Sequence, residues 1–331
     1  MQTAFVTGGS GFLGRTLIAE AAARGIAVRA LARSADSEAA VRSAGAQPIG
    51  GNLGDVAALQ SGMAGCDVVF HAAALVDEWG DPDLFYRVNV AGTRNALTAA
   101  RAAGVPRFVH VSTEAVLAGP DPLVRIDETA RRPSEPYGAY ARTKGLAEDE
   151  VVAANTARFT TVVIRPRFIW GRGDTSVLPK IVAVVRAGRF RWIDGGRYLT
   201  SATHVRNASE ALLLAAERGR GGQIYFVTDG PPIEFRTFVS AMLEAQDVRP
   251  PNRSIPGGLA RTIAAAVESM WRLLGLKQAP PATRMSVKMM GEEVTLDDSK
   301  ARRELGYRER VTFESGIREM REKSGAVLAQ R

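Results

Sequence analysis

The chain has 331 residues, of which 46% are hydrophobic and 24% are charged, a balance typical of a folded globular protein. Its net charge is +8, but Lys and Arg are spread along the whole chain without a basic block, so we expect no nucleic-acid partner. The single cysteine, Cys66, excludes an internal disulfide, and no zinc-type ligand spacing is present, so we expect no metal. The first residues enter a strand at once and no run of about 18 apolar residues predicts a membrane span. We therefore expect a cytoplasmic protein.

The first half of the chain alternates short β-branched runs with longer Ala-rich helical segments. Strands are predicted at 3–7, 27–32, 47–51, 67–73, 107–113 and 159–165, and helices at about 11–24, 55–64, 83–103 and 138–156. This alternation is typical of parallel strands joined by crossover helices, and it predicts a doubly wound α/β sheet.

The regular alternation ends after about residue 170. Helices are predicted at about 177–187, 205–218, 234–245, 258–275 and 313–324, with a strand at 223–229. We expect residues 1–170 to form the sheet domain and residues 171–331 to form a smaller, mostly helical lobe, with elements at about 200–230 able to return to the sheet.

A glycine-rich turn follows the first predicted strand. Gly8, Gly11 and Gly14 lie at the start of the first helix, with Phe12 and Leu13 in the same turn. Glycines allow a tight turn and close approach of the backbone to a pyrophosphate, while the helix N-terminus faces the negative charge. This strand, turn and helix predict a Rossmann-type dinucleotide site.

The glycine spacing resembles that of the extended short-chain dehydrogenase/reductases, and further motifs follow in the same order along nearly the whole chain. They are "GGNLGD" at 50–55, "VFHAAALVD" at 69–77, "VNVAGTRNAL" at 88–97, "FVHVSTEAV" at 108–116, "IRPRFIWGRGD" at 164–174 and "LDDSKARRELGY" at 296–307. The segments "HAAALVDEWG" and "RPRFIWGRGD" are most similar to the branch of 3β-hydroxysteroid dehydrogenases and dihydroflavonol reductases. The resemblance implies an NAD(P)-dependent oxidoreductase acting on the ketone or secondary alcohol of a small apolar substrate, such as a sterol-like, flavonoid-like or 3-oxo acyl compound. We expect a homodimer.

The end of the second strand bears on the choice of dinucleotide. NAD-selective enzymes of this fold place an acidic residue there, whereas this chain has Ala32 and then Arg33. A guanidinium can bind a 2′-phosphate, so NADP(H) is favoured. The alternative is that Arg33 is one more solvated arginine and that Asp36 turns towards a ribose, which would suit NAD(H).

The resemblance places further cofactor contacts after the third and fourth strands. Asn52, where the family usually has Asp, and Leu53 are expected at the adenine, while Asp55 is expected to cap the next helix. Small residues are expected beside the cofactor ribose, namely Ala72, Ala73 and Ala74.

Tyr140 and Lys144 are four residues apart on a predicted helix and so share one face. They match the family's catalytic tyrosine and lysine, and Lys144 is expected both to lower the pKa of the tyrosine and to contact the nicotinamide ribose. Tyr137 has Ala141 at the equivalent spacing and is disfavoured. Thr113 is expected to polarise the substrate carbonyl, with Ser112 as the alternative.

Three other residues match family positions around this pair. Asn89 is expected to organise the sheet, while Arg165 and Pro166 are expected to form the wall beside the nicotinamide. The segment 257–276 is apolar at helical spacing. We expect core packing there first, with a lid over the substrate or a peripheral membrane contact as alternatives.

Two other functions use the same scaffold. A nucleotide-sugar dehydratase of this superfamily typically has an Asp-Glu pair after the catalytic Thr, whereas this chain has Glu114 and Ala115. An NAD-retaining epimerase is disfavoured by the non-acidic end of the second strand. A nonenzymatic NADP(H)-binding redox sensor would not need the tyrosine and lysine that this chain retains.

Overall fold

The structure, a computed structural model, describes residues 1–328, and it describes the side chains of residues 1–322. The strands are, in chain order, β1 Thr3–Thr7, β2 Ala27–Ala32, β3 Gln47–Gly50, β4 Val68–His71, β5 Arg107–Val111, β6 Leu123–Ile126, β7 Thr160–Pro166, β8 Ile169–Trp170, β9 Trp192–Ile193, β10 Leu199–Thr200, β11 Thr203–His204, β12 Gln223–Val227, β13 Ile233–Glu234, β14 Ser254–Ile255 and β15 Val294–Leu296. The α-helices are α1 Phe12–Ala23, α2 Ala35–Ser43, α3 Val56–Met63, α4 Pro82–Phe85, α5 Gly92–Ala102, α6 Gly138–Ala153, α7 Leu178–Arg186, α8 Val205–Arg218, α9 Phe235–Glu244, α10 Gly257–Leu273, α11 Arg284–Gly291, α12 Ser299–Glu304 and α13 Phe313–Leu328.

Seven strands form the central sheet, in the order β12-β7-β5-β4-β1-β2-β3. Every neighbouring pair is parallel, and the order reverses between β1 and β4, so the carboxyl ends of these two strands flank the crevice in which ligands of such sheets bind. The predicted doubly wound parallel sheet is confirmed.

Helices cover both faces of this sheet. Leu17 of α1 and Leu212 of α8 belong to the core on one face, and Leu59 of α3, Ala96 of α5 and Val151 of α6 belong to the core on the other. Strands buried on both faces are expected to contain continuous apolar runs, and residues 68–70 of β4 and 162–164 of β7 are such runs. These two cores fix the strand ends that carry the site.

The C-terminal lobe has a third core, built on Trp170, Trp192, Phe235 and Phe238. Alongside its helices it contains a four-stranded sheet in the order β13-β10-β15-β6. One strand of each sheet comes from the other half of the chain, since β6 precedes residue 170 and β12 follows it. The division at residue 170 therefore remains a proposal.

The sequence pattern did not predict the short, polar helices. The α2 helix has no apolar stripe of its own and begins at a capping box formed by Ser34 and Ser37. The α11 and α12 helices, of eight and six residues, were also not expected. No helix in the described part of the chain has the length and apolar character needed to span a bilayer.

Candidate active site

The glycine turn between β1 and α1 is tightly packed against the end of β4. Gly8 has a φ of +72°, and a Cβ there would lie 2.7 Å from the backbone of Ala72 and Ala73. A Cβ on Gly14 would overlap the Gly8 carbonyl. Only glycine fits either position, because a side chain there would collide with the neighbouring backbone. The turn thus fits the pyrophosphate of a dinucleotide, whose site would be held by Gly8, Gly11 and Gly14.

Two side chains stand free at the end of β2. Arg33 and Asp36 are both exposed, and among the residues that the structure describes neither has a hydrogen-bond or ion-pair partner. Neither side chain is therefore committed to a contact within the described residues.

The loop after β3 is held by its own side chains. Asn52 Oδ1 accepts a hydrogen bond from the Gly54 amide at 2.8 Å, and the Leu53 carbonyl accepts from Asn95 at 2.9 Å. Asp55 accepts from the Ala58 amide at 3.0 Å, so its predicted role as a helix cap is confirmed. Because the Asn52 amide oxygen accepts a hydrogen bond within the turn, its amide nitrogen is the group that can contact an adenine.

Tyr140, on the first turn of α6, meets the end of β5. Its hydroxyl lies beside the Thr113 side chain. Burial, and then the nearby Glu114 carboxylate, raise the pKa of the Tyr140 phenol, while the Thr113 contact opposes them. The direction is opposite to the one expected from a neighbouring ammonium. The reason is that, among the described residues, the Lys144 ammonium contacts Val111 and His110 and not the phenol.

Lys144 is buried beneath the tyrosine. Its ammonium donates to the Val111 carbonyl at 2.7 Å and lies 3.2 Å from His110 Nε2. Burial lowers the pKa of Lys144 to about 8, against an opposing effect of Glu148. The pKa of His110 is lowered well below its usual value by burial and then by Lys144, so the imidazole is neutral and can accept from the ammonium.

Asn89 clamps the loop after β4 to the helix that carries the tyrosine. It lies in a π-helical turn, Tyr86–Ala91. Its Oδ1 accepts from the Leu75 amide at 2.7 Å, and its Nδ2 donates to the Leu75 carbonyl and to Thr143 Oγ1, each at 3.1 Å. All three contacts are structural, which agrees with the organising role expected from the sequence.

Arg165 does not face open space beside Pro166. It forms a buried bidentate ion pair with Glu148, at 2.8 Å from Nε to Oε1 and 2.6 Å from Nη2 to Oε2. The pair joins β7 to α6 one turn beyond Lys144, so Arg165 positions the catalytic helix. Sequence reasoning missed Glu148, although Tyr140, Lys144 and Glu148 recur at intervals of four along one helix face.

A second buried ion pair joins the site to the lobe. Arg167 Nη1 donates to Glu114 Oε1 at 2.7 Å. Its Nε and Nη2 donate to Thr200 Oγ1, and its Nη2 also donates to the Met289 carbonyl at 2.8 Å. The Glu114 carboxylate is thus engaged in a buried ion pair. Sequence reasoning did not find Arg167.

Residues 5–256 match the 3-beta hydroxysteroid dehydrogenase/isomerase family. The chain belongs to this family. The relatives of this chain include proteins named as a ketoreductase, a 3-oxoalkanoate reductase and a hydroxysteroid dehydrogenase, and the chain is accordingly an NAD(P)-dependent oxidoreductase acting on ketone or CH–OH groups.

Three relatives illustrate the likeness of this 3-beta hydroxysteroid dehydrogenase/isomerase family member. The 4-hydroxy-2-methyl-3-oxo-4-farnesyl-3,4-dihydroquinoline-1-oxide ketoreductase of Stigmatella aurantiaca is 52% identical, covering 96% of this chain and 95% of the relative. The 2-alkyl-3-oxoalkanoate reductase of Stenotrophomonas maltophilia is 36% identical, covering 97% and 99%. The crystal structure of gox2253 is 26% identical with a TM-score of 0.79, covering 98% and 99%.

The structure brings most of the predicted residues of this family member to one edge of the sheet. Tyr140, Lys144 and Thr113 lie together, and the Ala72 to Ala74 run lies against the glycine turn. Ser112 is buried at the end of β5, and its hydroxyl has no partner among the described residues. Phe12 and Leu13 begin α1, with Phe12 buried, and Pro166 ends β7. Within the described residues, no group of three His, Cys, Asp or Glu side chains could hold a metal.

Proposed function

We propose that the protein uses NADPH to reduce a ketone whose neighbouring carbon carries an alkyl group, in a molecule with a long apolar part. The observation that carries the proposal is the half-buried Tyr140 placed beside Thr113, at the same edge of the sheet as the glycine turn. The names of two relatives supply the substrate class, since both describe a 3-oxo group next to an alkyl-bearing carbon 2.

The side chains divide the work as follows. The nicotinamide, when bound, supplies the hydride that reduces the carbonyl carbon. Tyr140 then gives its proton to the carbonyl oxygen, and its raised pKa keeps that proton in place at neutral pH until the oxygen becomes basic. Thr113 or Ser112 orients the carbonyl. Lys144, fixed by Val111 and His110, holds a positive charge beneath the site and is assigned to the ribose.

We assign the selectivity for NADPH to Arg33. It is exposed at the end of β2 and has no partner in the described residues, so it can bind a 2′-phosphate without first breaking an ion pair. The 2′-phosphate would also face the start of α2, whose first-turn amides favour an anion. Asp36, on that first turn, is the group that NAD(H) would use instead.

The α10 helix is assigned to apolar contacts. Its buried side is made of small residues such as Ala260 and Ala264, so core packing accounts for that side alone. The opposite side exposes Leu259, Ile263, Met270, Leu273 and Leu274, at the spacing of a helical stripe. We propose that this stripe receives the long apolar part of the substrate or the lipid surface that holds it.

The decisive experiment follows hydride from NADPH deuterated at C4 into a panel of 2-alkyl-3-oxoalkanoates and prenylated 3-oxo heterocycles. We expect one NADPH consumed per product, with deuterium on the new carbinol carbon. UDP-glucose serves as the control and should not react. Return of deuterium to the cofactor without net consumption would show epimerase or dehydratase chemistry and overturn the proposal.

The proposal also includes the oligomeric state and the cellular compartment. We propose a homodimer, which light scattering of the purified protein tests. Action in a reducing compartment, the cytoplasm, is supported by Cys66, which is buried and free.

A further inference from the structure

The buried Lys144 ammonium is held by two groups at the end of β5. It donates to the Val111 carbonyl at 2.7 Å and lies 3.2 Å from His110 Nε2, and Lys144 is only 3% exposed. An ammonium group has three protons to donate. Two of them are directed to β5, so one is left without a partner in the described part of the chain.

The contact with Lys144 decides which nitrogen of His110 carries the proton. An ammonium can only donate, so Nε2 has to accept, and in a neutral imidazole the proton is then on Nδ1. Nδ1 is buried and has no hydrogen-bond partner among the described residues, which is an unfavourable state for a buried N–H. Within the described structure, the bond to Lys144 is therefore the one that favours this tautomer of His110.

His71 does not share this role, although its ring is stacked on that of His110 with the centroids 5.3 Å apart. The Thr93 hydroxyl donates to the Asn89 carbonyl at 2.6 Å, so its oxygen accepts from His71 Nε2–H at 2.9 Å. His71 Nδ1 then accepts from the Thr7 hydroxyl at 2.8 Å. Both nitrogens of His71 are thus bonded, and the two stacked histidines carry opposite tautomers.

The other titratable groups near Lys144 leave this role to His110. Glu148, one turn further along α6, is bound through both carboxylate oxygens to Arg165 of β7. Tyr140 is one turn before Lys144, and burial raises the pKa of its phenol, so it carries no charge at neutral pH. Among the side chains that the structure describes, His110 is the one bonded to the ammonium.

We propose that His110 is a positioning residue, which fixes the Lys144 ammonium by accepting from it and so leaves the third N–H for the ribose hydroxyls of the dinucleotide. The proposal rests on the assignment of Lys144 to the ribose within the proposed function. The Val111 carbonyl alone would leave the ammonium free to rotate about one bond. Two acceptors at the strand end restrict the direction of the remaining proton, and such pre-organisation increases affinity.

The first test determines the tautomers in the unaltered protein, which has three histidines. Long-range proton–nitrogen NMR spectra of protein with isotope-labelled histidine should show one Nδ1–H ring and two Nε2–H rings at neutral pH. The Nε2–H rings are His71 and His204, since His204 Nδ1 accepts from the Arg206 amide. The Nδ1–H ring is His110. An Nε2–H ring at His110 would place a proton against the ammonium and overturn the proposal.

The second test measures NADPH binding against pH by isothermal titration. Loss of one acceptor disfavours the charged lysine and lowers the pKa of Lys144 further. In His110→Phe the fall in affinity expected near pH 8 should therefore occur about one pH unit or more lower, and below it NADPH should bind about tenfold more weakly. His110→Gln keeps an acceptor that can reach the ammonium and should restore both properties.

His71→Phe is the matched control, because His71 is equally buried and stacked on His110 but is not bonded to Lys144. It should lower stability without changing the pH at which affinity falls. An unchanged pH in folded His110→Phe, or an equal shift in His71→Phe, contradicts the proposal. If His110→Phe does not fold, the tautomer of His110 in the unaltered protein decides, with Nδ1–H in favour and Nε2–H against.

These measurements separate this proposal from the proposed function, because none of them needs a ketone. If Lys144→Met binds NADPH as tightly as the unaltered protein, the assignment of Lys144 to the ribose fails, and the role of His110 fails with it. If Lys144→Met binds weakly while His110→Phe binds normally, only the role of His110 fails. If no ketone is reduced, the proposed function fails while the tautomer and the binding titrations still decide the role of His110.

Discussion

At the scale of single residues, two tyrosines three positions apart have different surroundings. The Tyr140 hydroxyl lies beside Thr113, whereas the Tyr137 ring lies under Arg284, with the guanidinium carbon 5.3 Å from the ring centroid. A ring held by a cation keeps that contact when its hydroxyl is removed. The two hydroxyls can therefore be tested by the same substitution.

Tyr140→Phe should reduce kcat by about 10²- to 10⁴-fold, the usual contribution of a positioned acid, with NADPH affinity unchanged. Tyr137→Phe is the matched control and should leave turnover nearly unaltered. Steady-state kinetics and fluorescence titration of NADPH measure the two quantities. Full activity in Tyr140→Phe together with lost activity in Tyr137→Phe would reverse the assignment.

Lys144 predicts a pH dependence of cofactor binding. Its pKa is lowered to about 8, so the ammonium is present below that pH and is lost as the pH rises through it. NADPH affinity should weaken across pH 8 because the positive charge beneath the ribose disappears. Lys144→Met should bind NADPH weakly at every pH and lack this step, as measured by isothermal titration. A step that persists in Lys144→Met would arise from another group.

Arg33 should discriminate between the two dinucleotides. Arg33→Ala removes a guanidinium that is exposed and unpaired among the described residues, so the fold should not change. NADPH binding should weaken by about 1.5–3 kcal/mol, the magnitude of a hydrogen bond to a charged group, with NADH nearly unaffected. Binding titrations with both cofactors measure the difference, and Asp36→Ala is the companion variant. Equal effects on both cofactors would remove Arg33 from the site.

At the scale of elements, α10 has two faces with different tasks. Ala260 and Ala264 are buried, while Leu273 is 86% exposed. The helix also packs on α11 through Glu268, which pairs with Arg284, and α11 borders Tyr140 through Met285. The exposed face can therefore change without disturbing the face that supports the site.

Leu273→Ser should raise KM for long-chain apolar ketones with kcat little changed, because uniform binding of the chain is lost. The free energy of unfolding should change by less than about 0.5 kcal/mol, as is usual for an exposed position. A short-chain ketone and Val124→Ser, exposed on β6, are the controls. Loss of folding in Leu273→Ser would instead assign the stripe to packing within the described structure.

The elements that could be predicted from sequence are those whose residues carry their own periodicity. Most strands of the central sheet contain apolar runs, and α1 and α6 begin at the glycine turn and at the tyrosine motif. The α2 helix escaped because its residues are largely exposed and only Ser34 and Ser37 mark its start. Sequence motifs placed Tyr140 and Lys144 correctly on α6. They could not reveal that Arg167 contacts Glu114. The two residues are 53 positions apart in the sequence, so their contact depends on the tertiary packing of the segment after β7.

At the scale of the whole molecule, the chain crosses between its two sheets. β12 completes the central sheet beside β7, and β6 pairs with β15 in the sheet of the lobe. Glu20 of α1 forms ion pairs with Arg206 of α8 and with Arg310, both of which lie in the second half of the chain. Unfolding either sheet therefore removes a strand or a partner from the other part, which favours one cooperative unit.

Cofactor binding provides the test of this cooperativity, because the dinucleotide contacts are expected only in the first half of the chain. NADPH at about 100 times its Kd should stabilise the native state by about 2.7 kcal/mol. For 331 residues this corresponds to a rise in Tm of about 4 °C. Differential scanning calorimetry should record a single transition that moves as a whole. Tyr140→Phe should show the same rise, since its glycine turn is intact. Two transitions, of which NADPH moves only one, would show that the halves unfold separately despite their exchanged strands.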